Sequence, residues 1–144
     1  MNSANESARV TESGSRVHRF VPGEAGTWTG VAVRQYKPAA EHHCGVSRSV
    51  LAGEGGERMG FQVRYFEIAP GGHSTLERHE HEHVVVVLRG SGQVRLGQTW
   101  HDLGSHDAVY VAPNEVHQLR NVGAEPFGFL CIVDVKRDRP VPVG

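Results

Sequence analysis

Seven consecutive residues, Glu77-Arg78-His79-Glu80-His81-Glu82-His83, hold three imidazoles and three carboxylates. Neutral imidazole and ionised carboxylate are the ligands that divalent transition metals take from proteins. Charge alternating this densely is also found on solvated strand ends. A further histidine, His117, follows the turn-forming pair Pro113-Asn114 and tips the balance towards a metal site assembled from two distant stretches.

His79-Glu80-His81-Glu82-His83 satisfies the H-E-x-x-H pattern of zinc proteases, but that pattern works only on a helix, where residues i and i+4 share a face. Val84-Val85-Val86-Val87 follows directly, and β-branched residues favour strands. Pro70-Gly71-Gly72 lies just upstream, and Gly90 closes the segment seven residues after His83. On a strand, Glu77 and His79 point one way while Arg78 and Glu80 point the other. A turn near 80–82 lets His83 return from the neighbouring strand towards the same point. His117 then completes a mononuclear site. Simple alternation would put His81 on the face of His79 and His83, whereas a turn puts it in solvent or behind the ligands; the turn is the favoured placement. Glu80 and Glu82 are expected to face solvent.

The elements that must position these residues are strands. Phe61–Ile68, Val84–Arg89, Gln93–Leu96, Thr99–Leu103, Ala108–Val111, His117–Arg120 and Phe127–Val133 are apolar or alternating runs separated by Gly, Pro and Asn. Pro70-Gly71-Gly72 is expected to stop the first of them. Trp28–Tyr36 alternates and reads as a strand, 37–45 as a loop containing His42-His43, and Ser47–Ala52 as a short strand. Turn signals recur every 8–12 residues or so, the signature of an all-β sandwich or barrel. Residues 1–26 are polar and aperiodic and read as a flexible arm; 27–135 form one domain; 136–144 are a charged, Pro-containing tail.

Composition narrows the function classes. At 144 residues one domain is expected. A net charge of -1 and the lack of a basic stripe argue against a nucleic-acid partner. No apolar run is long enough to span a membrane, and 1–16 lack the apolar core of a secretory signal, so the expected location is cytoplasmic. The two cysteines, Cys44 and Cys131, form neither a disulfide framework nor a CxxC motif.

Two stretches carry a family resemblance. Gly71, Glu77, His79, His83 and Gly90 are spaced as in the first signature of the cupin superfamily: Gly, five residues, His, one residue, His, three or four residues, Glu, six residues, Gly. Gly104, Pro113, His117 and Asn121 are similar to the second signature, which ends in Pro, a turn, His, three residues, Asn. The resemblance covers roughly 59–135 and implies a jelly-roll β-barrel with one divalent metal ion in its mouth. Glu77 replaces the family's first histidine, and His83 replaces its glutamate. The implied ligands are Glu77, His79, His83 and His117, with Glu77 the weakest member. Histidine at the glutamate position resembles a branch of small cupins with four-His manganese sites. Manganese or iron is therefore favoured, although zinc, nickel and copper accept the same ligand types.

Period-two faces nominate the pocket wall. Phe129 and Cys131 share one face, and Arg64 and Phe66 another. If these faces are interior, Arg64 is a ready clamp for an anion and Cys131 borders the metal; otherwise Arg64 is an ordinary exposed strand residue and Cys131 an inert core thiol. His73, His101 and His106 read as surface residues. The expected function is a metal-dependent oxidoreductase of dioxygenase type acting on a small oxygen-chelating molecule. A non-catalytic ligand sensor and a metal-dependent lyase or isomerase are the alternatives. A homodimer is expected, with Trp28–Tyr36 pairing against a partner's sheet.

Overall fold

The valine run becomes a strand because its alternate members have an interior to enter. In the computed structural model, which describes residues 9–23, 26–35 and 44–143, Val85 and Val87 are fully buried while Val84 and Leu88 are exposed. That is the two-residue period of a strand with one face on a core. Every element among the described residues is a strand. In chain order they are β1 (Arg9–Val10), β2 (Arg16–Val17), β3 (Phe20–Val21), β4 (Thr27–Trp28), β5 (Arg34–Gln35), β6 (Cys44–Ala52), β7 (Phe61–His73), β8 (Glu77–Arg78), β9 (His83–Arg89), β10 (Gly92–Leu96), β11 (Thr99–Leu103), β12 (Ala108–Val111), β13 (His117–Arg120), β14 (Phe127–Asp134) and β15 (Val141–Pro142). No helix of the described residues is long and apolar enough to cross a membrane.

Strands β5 to β15 belong to one curled antiparallel sheet, with neighbours in the order β11-β10-β13-β7-β14-β9-β12 and with β6 added against β7. The sheet curls into the half-barrel of a jelly roll. The inner face of each strand supplies every second residue to one core: Phe66 and Ile68 from β7, Val85 and Val87 from β9, Phe127, Phe129, Cys131 and Val133 from β14, and Leu119 from β13. At one end of this interior the same alternation delivers polar residues. Arg64 shares its face with Phe66, His83 with Val85, and His117 with Leu119, and all three polar side chains are buried.

Several local expectations are corrected. Pro70-Gly71-Gly72 does not end β7, which runs through to His73. The backbone there is held by Gly71 N–H donating to Asn121 O and Asn121 N–H donating to Gly72 O. Pro70 is exposed, the register against β6 shifts beside it, and Gly71 takes a positive φ of 80°; Pro and Gly are tolerated at such an irregularity. Trp28–Tyr36 is not one strand. Its Trp28 pairs with Phe20 of the same chain, Arg34–Gln35 pair with β6, and Tyr36 lies outside the described residues. Cys44 and Gly45, expected in a loop, open β6, while His42-His43 lie outside the described residues.

Described residues of the N-terminal segment dock on β7. Phe20, Trp28 and Tyr65 pack edge to face, with ring centroids 5.2 to 5.8 Å apart. Gly26 N–H donates to the buried Glu67 carboxylate at 2.8 Å. The segment has few apolar residues, so no periodicity announces it; two aromatic side chains and one amide suffice to dock it on the outer face of β7. The tail is not free, because β15 pairs with β8.

Candidate metal centre

β8 ends at Arg78, the chain bends at Glu80-His81, and β9 begins at His83. His79 and His83 thereby stand at the two sides of one bend. The Pro113-Asn114 turn brings the third histidine. Asn114 adopts a φ of 62°, a left-handed conformation that asparagine accepts more readily than most residues. Its N–H donates to His79 O at 2.7 Å, tying this turn directly to the bend. His117 then opens β13 opposite Glu77.

The nitrogens of His79, His83 and His117 lie within 4.8 Å of one another, and all three residues are buried. Nδ1 of His79 is 2.6 Å from His81 O, and Nδ1 of His117 is 2.8 Å from Glu115 O. A carbonyl only accepts, so each Nδ1 carries its proton and each Nε2 keeps a lone pair, the tautomer a metal requires. His83 Nδ1 rests 3.1 Å from Cys131 Sγ, and His83 Nε2 stands 3.4 Å from His117 Nε2. That separation is long for a hydrogen bond. It is what two nitrogens each about 2.1 Å from one tetrahedral ion would show, roughly 3.4 Å. The donor set fits a divalent transition metal.

Burial keeps these rings neutral. It is the main cause that lowers His83 to about 2, helped by the facing His117 and His79 rings and by the Arg64 guanidinium. Burial likewise lowers His79 and His117, against the opposing pull of their carbonyl bonds. Neutral imidazole is the ligand form, so the proton is a poor competitor here.

The three histidines line a cavity of about 210 Å³ together with Arg64, Phe66, Glu77, His81, Phe129 and Cys131, the residues nominated from sequence. Arg64 is interior: its Nη2 donates towards Cys131 Sγ at 3.3 Å, and its guanidinium lies 4.9 Å from the Phe66 ring. Phe66 and Phe129 stack at 5.8 Å. Burial pushes the Cys131 thiol up, and Arg64 pulls the other way. Glu77 lines the cavity across from His117, but its carboxylate is not in the tight three-nitrogen group. His81 sits at the bend with its ring flat against His79. Glu80 and Glu82 are exposed, as are His101 and His106, while His73 is half-buried.

Sequence reasoning misses seven wall residues: Val46, Arg48, Ser74, Val85, Leu119, Arg137 and Pro140. Val46 and Arg48 come from β6, whose early part reads as a loop in the sequence, and Arg137 and Pro140 come from the tail. Alternation along β6 is the signal that could have found Val46. Nothing in the tail's composition points inward.

The cupin-domain family model matches residues 64–133. The chain is 40% identical over 114 residues to 1-methylthio-D-xylulose 5-phosphate methylsulfurylase of Rhodospirillum rubrum, covering 78% of this chain and 72% of that protein. A cupin 2 conserved barrel domain protein from Rhodopseudomonas palustris superposes with a TM-score of 0.80 at 39% identity, over 89% of this chain and 86% of that one. A cupin-2 domain protein from Rhodospirillum rubrum superposes with a TM-score of 0.75 at 38% identity, over 81% and 78% of the two chains. With two signature stretches meeting at one three-histidine pocket inside a jelly roll, the chain belongs to the cupin family.

Proposed function

We propose that this chain is a metal-dependent enzyme acting on a small, anionic, oxygen-chelating substrate of the phosphorylated hydroxyketone class. The observation that carries this is Arg64. The residue is 8% exposed and its Nε–H is buried without a hydrogen-bond partner, on the wall of the three-histidine cavity. A buried, unsatisfied charged donor is costly, and an anionic oxygen entering the cavity satisfies it.

His79, His83 and His117 would hold a divalent ion, which would supply Lewis acidity towards a carbonyl or hydroxyl oxygen. Arg64, with Arg48 and Arg137 lining the same cavity, receives the anionic end. Glu77, the one carboxylate on the wall among the described residues, accepts a hydrogen bond from a substrate hydroxyl. Phe66, Phe129, Val46 and Leu119 exclude water. Cys131 places a thiol between Arg64 and His83. The compound in the name of the Rhodospirillum rubrum relative carries a ketone, hydroxyls, a phosphate and a thioether, and each has a counterpart in this wall. The likeness to small four-His manganese cupins favours manganese or iron for this role, and zinc, nickel and copper accept the same ligand types.

A dioxygenase-type oxidation is the second reading, supported by the apolar part of the wall, Val46, Phe66, Leu119 and Phe129. Untagged protein loaded with Mn2+ and offered 1-methylthio-D-xylulose 5-phosphate should consume it without taking up oxygen. Arg64→Met should cost about 100-fold or more in kcat/KM, the scale of roughly 3 kcal/mol for one charged contact. Oxygen uptake with enolic substrates would favour the oxidase reading, and stoichiometric metal with no turnover of either class would favour a ligand-binding module.

A further inference from the structure

The tail is built into the metal pocket. Val141 and Pro142 pair with Arg78 and Glu77, and Val143 N–H donates to Leu76 O at 2.8 Å. Between this ladder and β14 lies Asp138. Its Oδ2 accepts from Glu80 N–H at 2.9 Å and its Oδ1 from His81 N–H at 2.9 Å. The same Oδ1 is 2.8 Å from His81 Nδ1. One carboxylate thus caps both amides of the bend that separates His79 from His83. The His81 ring in turn lies flat on His79, with centroids 3.7 Å apart and planes 4° from parallel. The His81 carbonyl holds His79 Nδ1 at 2.6 Å.

We propose that Asp138 is a positioning residue for the metal centre, fixing the tautomer and ring orientation of His79 through the capped Glu80-His81 bend and the stacked His81 ring. This rests on the reading of His79, His83 and His117 as metal ligands. A ring bonded to its metal through Nε2 is oriented by whatever holds its Nδ1 and its faces. Here both the carbonyl at Nδ1 and the ring against one face belong to His81. His81 is itself held at its amide and at its ring nitrogen by Asp138. Without the carboxylate, two adjacent amides at the bend lose their acceptors, and the carbonyl that aims His79 loses its anchor. The two amides and the His81 ring hold the Asp138 carboxyl well below the usual carboxylate range, so the cap stays ionised.

The test uses the full chain, freed of metal and titrated with Co2+, whose visible ligand-field bands report ligand number and orientation. Asp138→Ala is expected to weaken Co2+ binding about 10- to 100-fold and to alter the bands of the loaded protein. Asp138→Asn, which keeps an acceptor oxygen for His81, should recover part of the affinity and the wild-type band shape. Arg139→Ala, an exposed neighbour on the same segment, should change neither. Circular dichroism of the metal-free variants confirms folding, and if Asp138→Ala does not fold, Asp138→Asn and His81→Ala carry the test. Wild-type affinity and bands in folded Asp138→Ala, or in both substitutes, overturn the inference and leave the metal site standing. Failure of the wild-type chain to take up one Co2+ overturns both.

Discussion

His83→Ala should leave the protein folded but without its metal. The native chain, purified without a His-tag, is expected to carry close to one transition-metal ion, and the variant less than a tenth of that. An outer-shell change around a metal typically costs 10- to 100-fold in affinity, and losing one of three nitrogens costs more than that. Binding to the folded state alone also stabilises it, by about 4 kcal/mol at a thousand times the dissociation constant. A chelator should therefore lower the melting temperature of the native protein by several degrees and leave that of His83→Ala unmoved. His117→Ala should behave in the same way, since its Nε2 faces that of His83 at 3.4 Å. His101→Ala, at an exposed site, is the control that separates a built centre from adventitious ions on a chain with ten histidines. Native metal content in both His83→Ala and His117→Ala would end the assignment.

The features that make this centre legible in the amino-acid sequence are local and periodic. The Val84–Val87 run excludes the helix that H-E-x-x-H needs, and period-two alternation puts His83 on the face of Val85 and Val87, and Cys131 on that of Phe129. Pro113-Asn114 announces a turn ahead of His117. The same logic cannot rank Glu77. Its distance from the three nitrogens depends on how far the bend at 80–81 carries β8 from β9, and no spacing rule encodes that. Asp138 is illegible for a related reason. An aspartate in a charged tail carries no periodicity, and its role comes from the fold returning the tail to β8 through two backbone pairs. Nor does Pro70 behave as the stop it resembles, because breaking a strand depends on what the missing N–H would have bonded. At this exposed irregularity in the register against β6, the neighbouring Gly71 and Gly72 carry the pairing with Asn121.

Glu67→Ala should cost about 2–4 kcal/mol of folding stability while leaving metal content at the native level. Glu67 alternates with the inward Phe66 and Ile68 and so lies on the outer face of β7, yet it is only 4% exposed. The docked N-terminal segment covers it. Its Oε1 accepts from Gly26 N–H at 2.8 Å, and its Oε2 accepts from Tyr65 Oη–H at 2.7 Å and from Arg89 Nη1–H at 2.9 Å. Arg89 also reaches Gly23 O. One carboxylate therefore joins β7, β9 and the N-terminal segment. Alanine leaves three donors without their acceptor and one cation without its partner, which is the expensive way to lose a buried ion pair. Arg89 keeps 23% of its side chain in water, so solvent relieves part of that cost and the lower half of the range is expected. Urea unfolding followed by circular dichroism measures the loss as a shift of midpoint at constant slope. Deleting residues 1–26 uncovers the same carboxylate, and within the truncated chain Glu67→Ala should cost less than about 1 kcal/mol, because water then serves the freed donors. Equal costs in the two backgrounds would mean that the segment does not cover Glu67 in solution. A change below about 0.5 kcal/mol in the full chain, the ordinary size of a surface substitution, would mean that the carboxylate does not hold β7, β9 and the segment together.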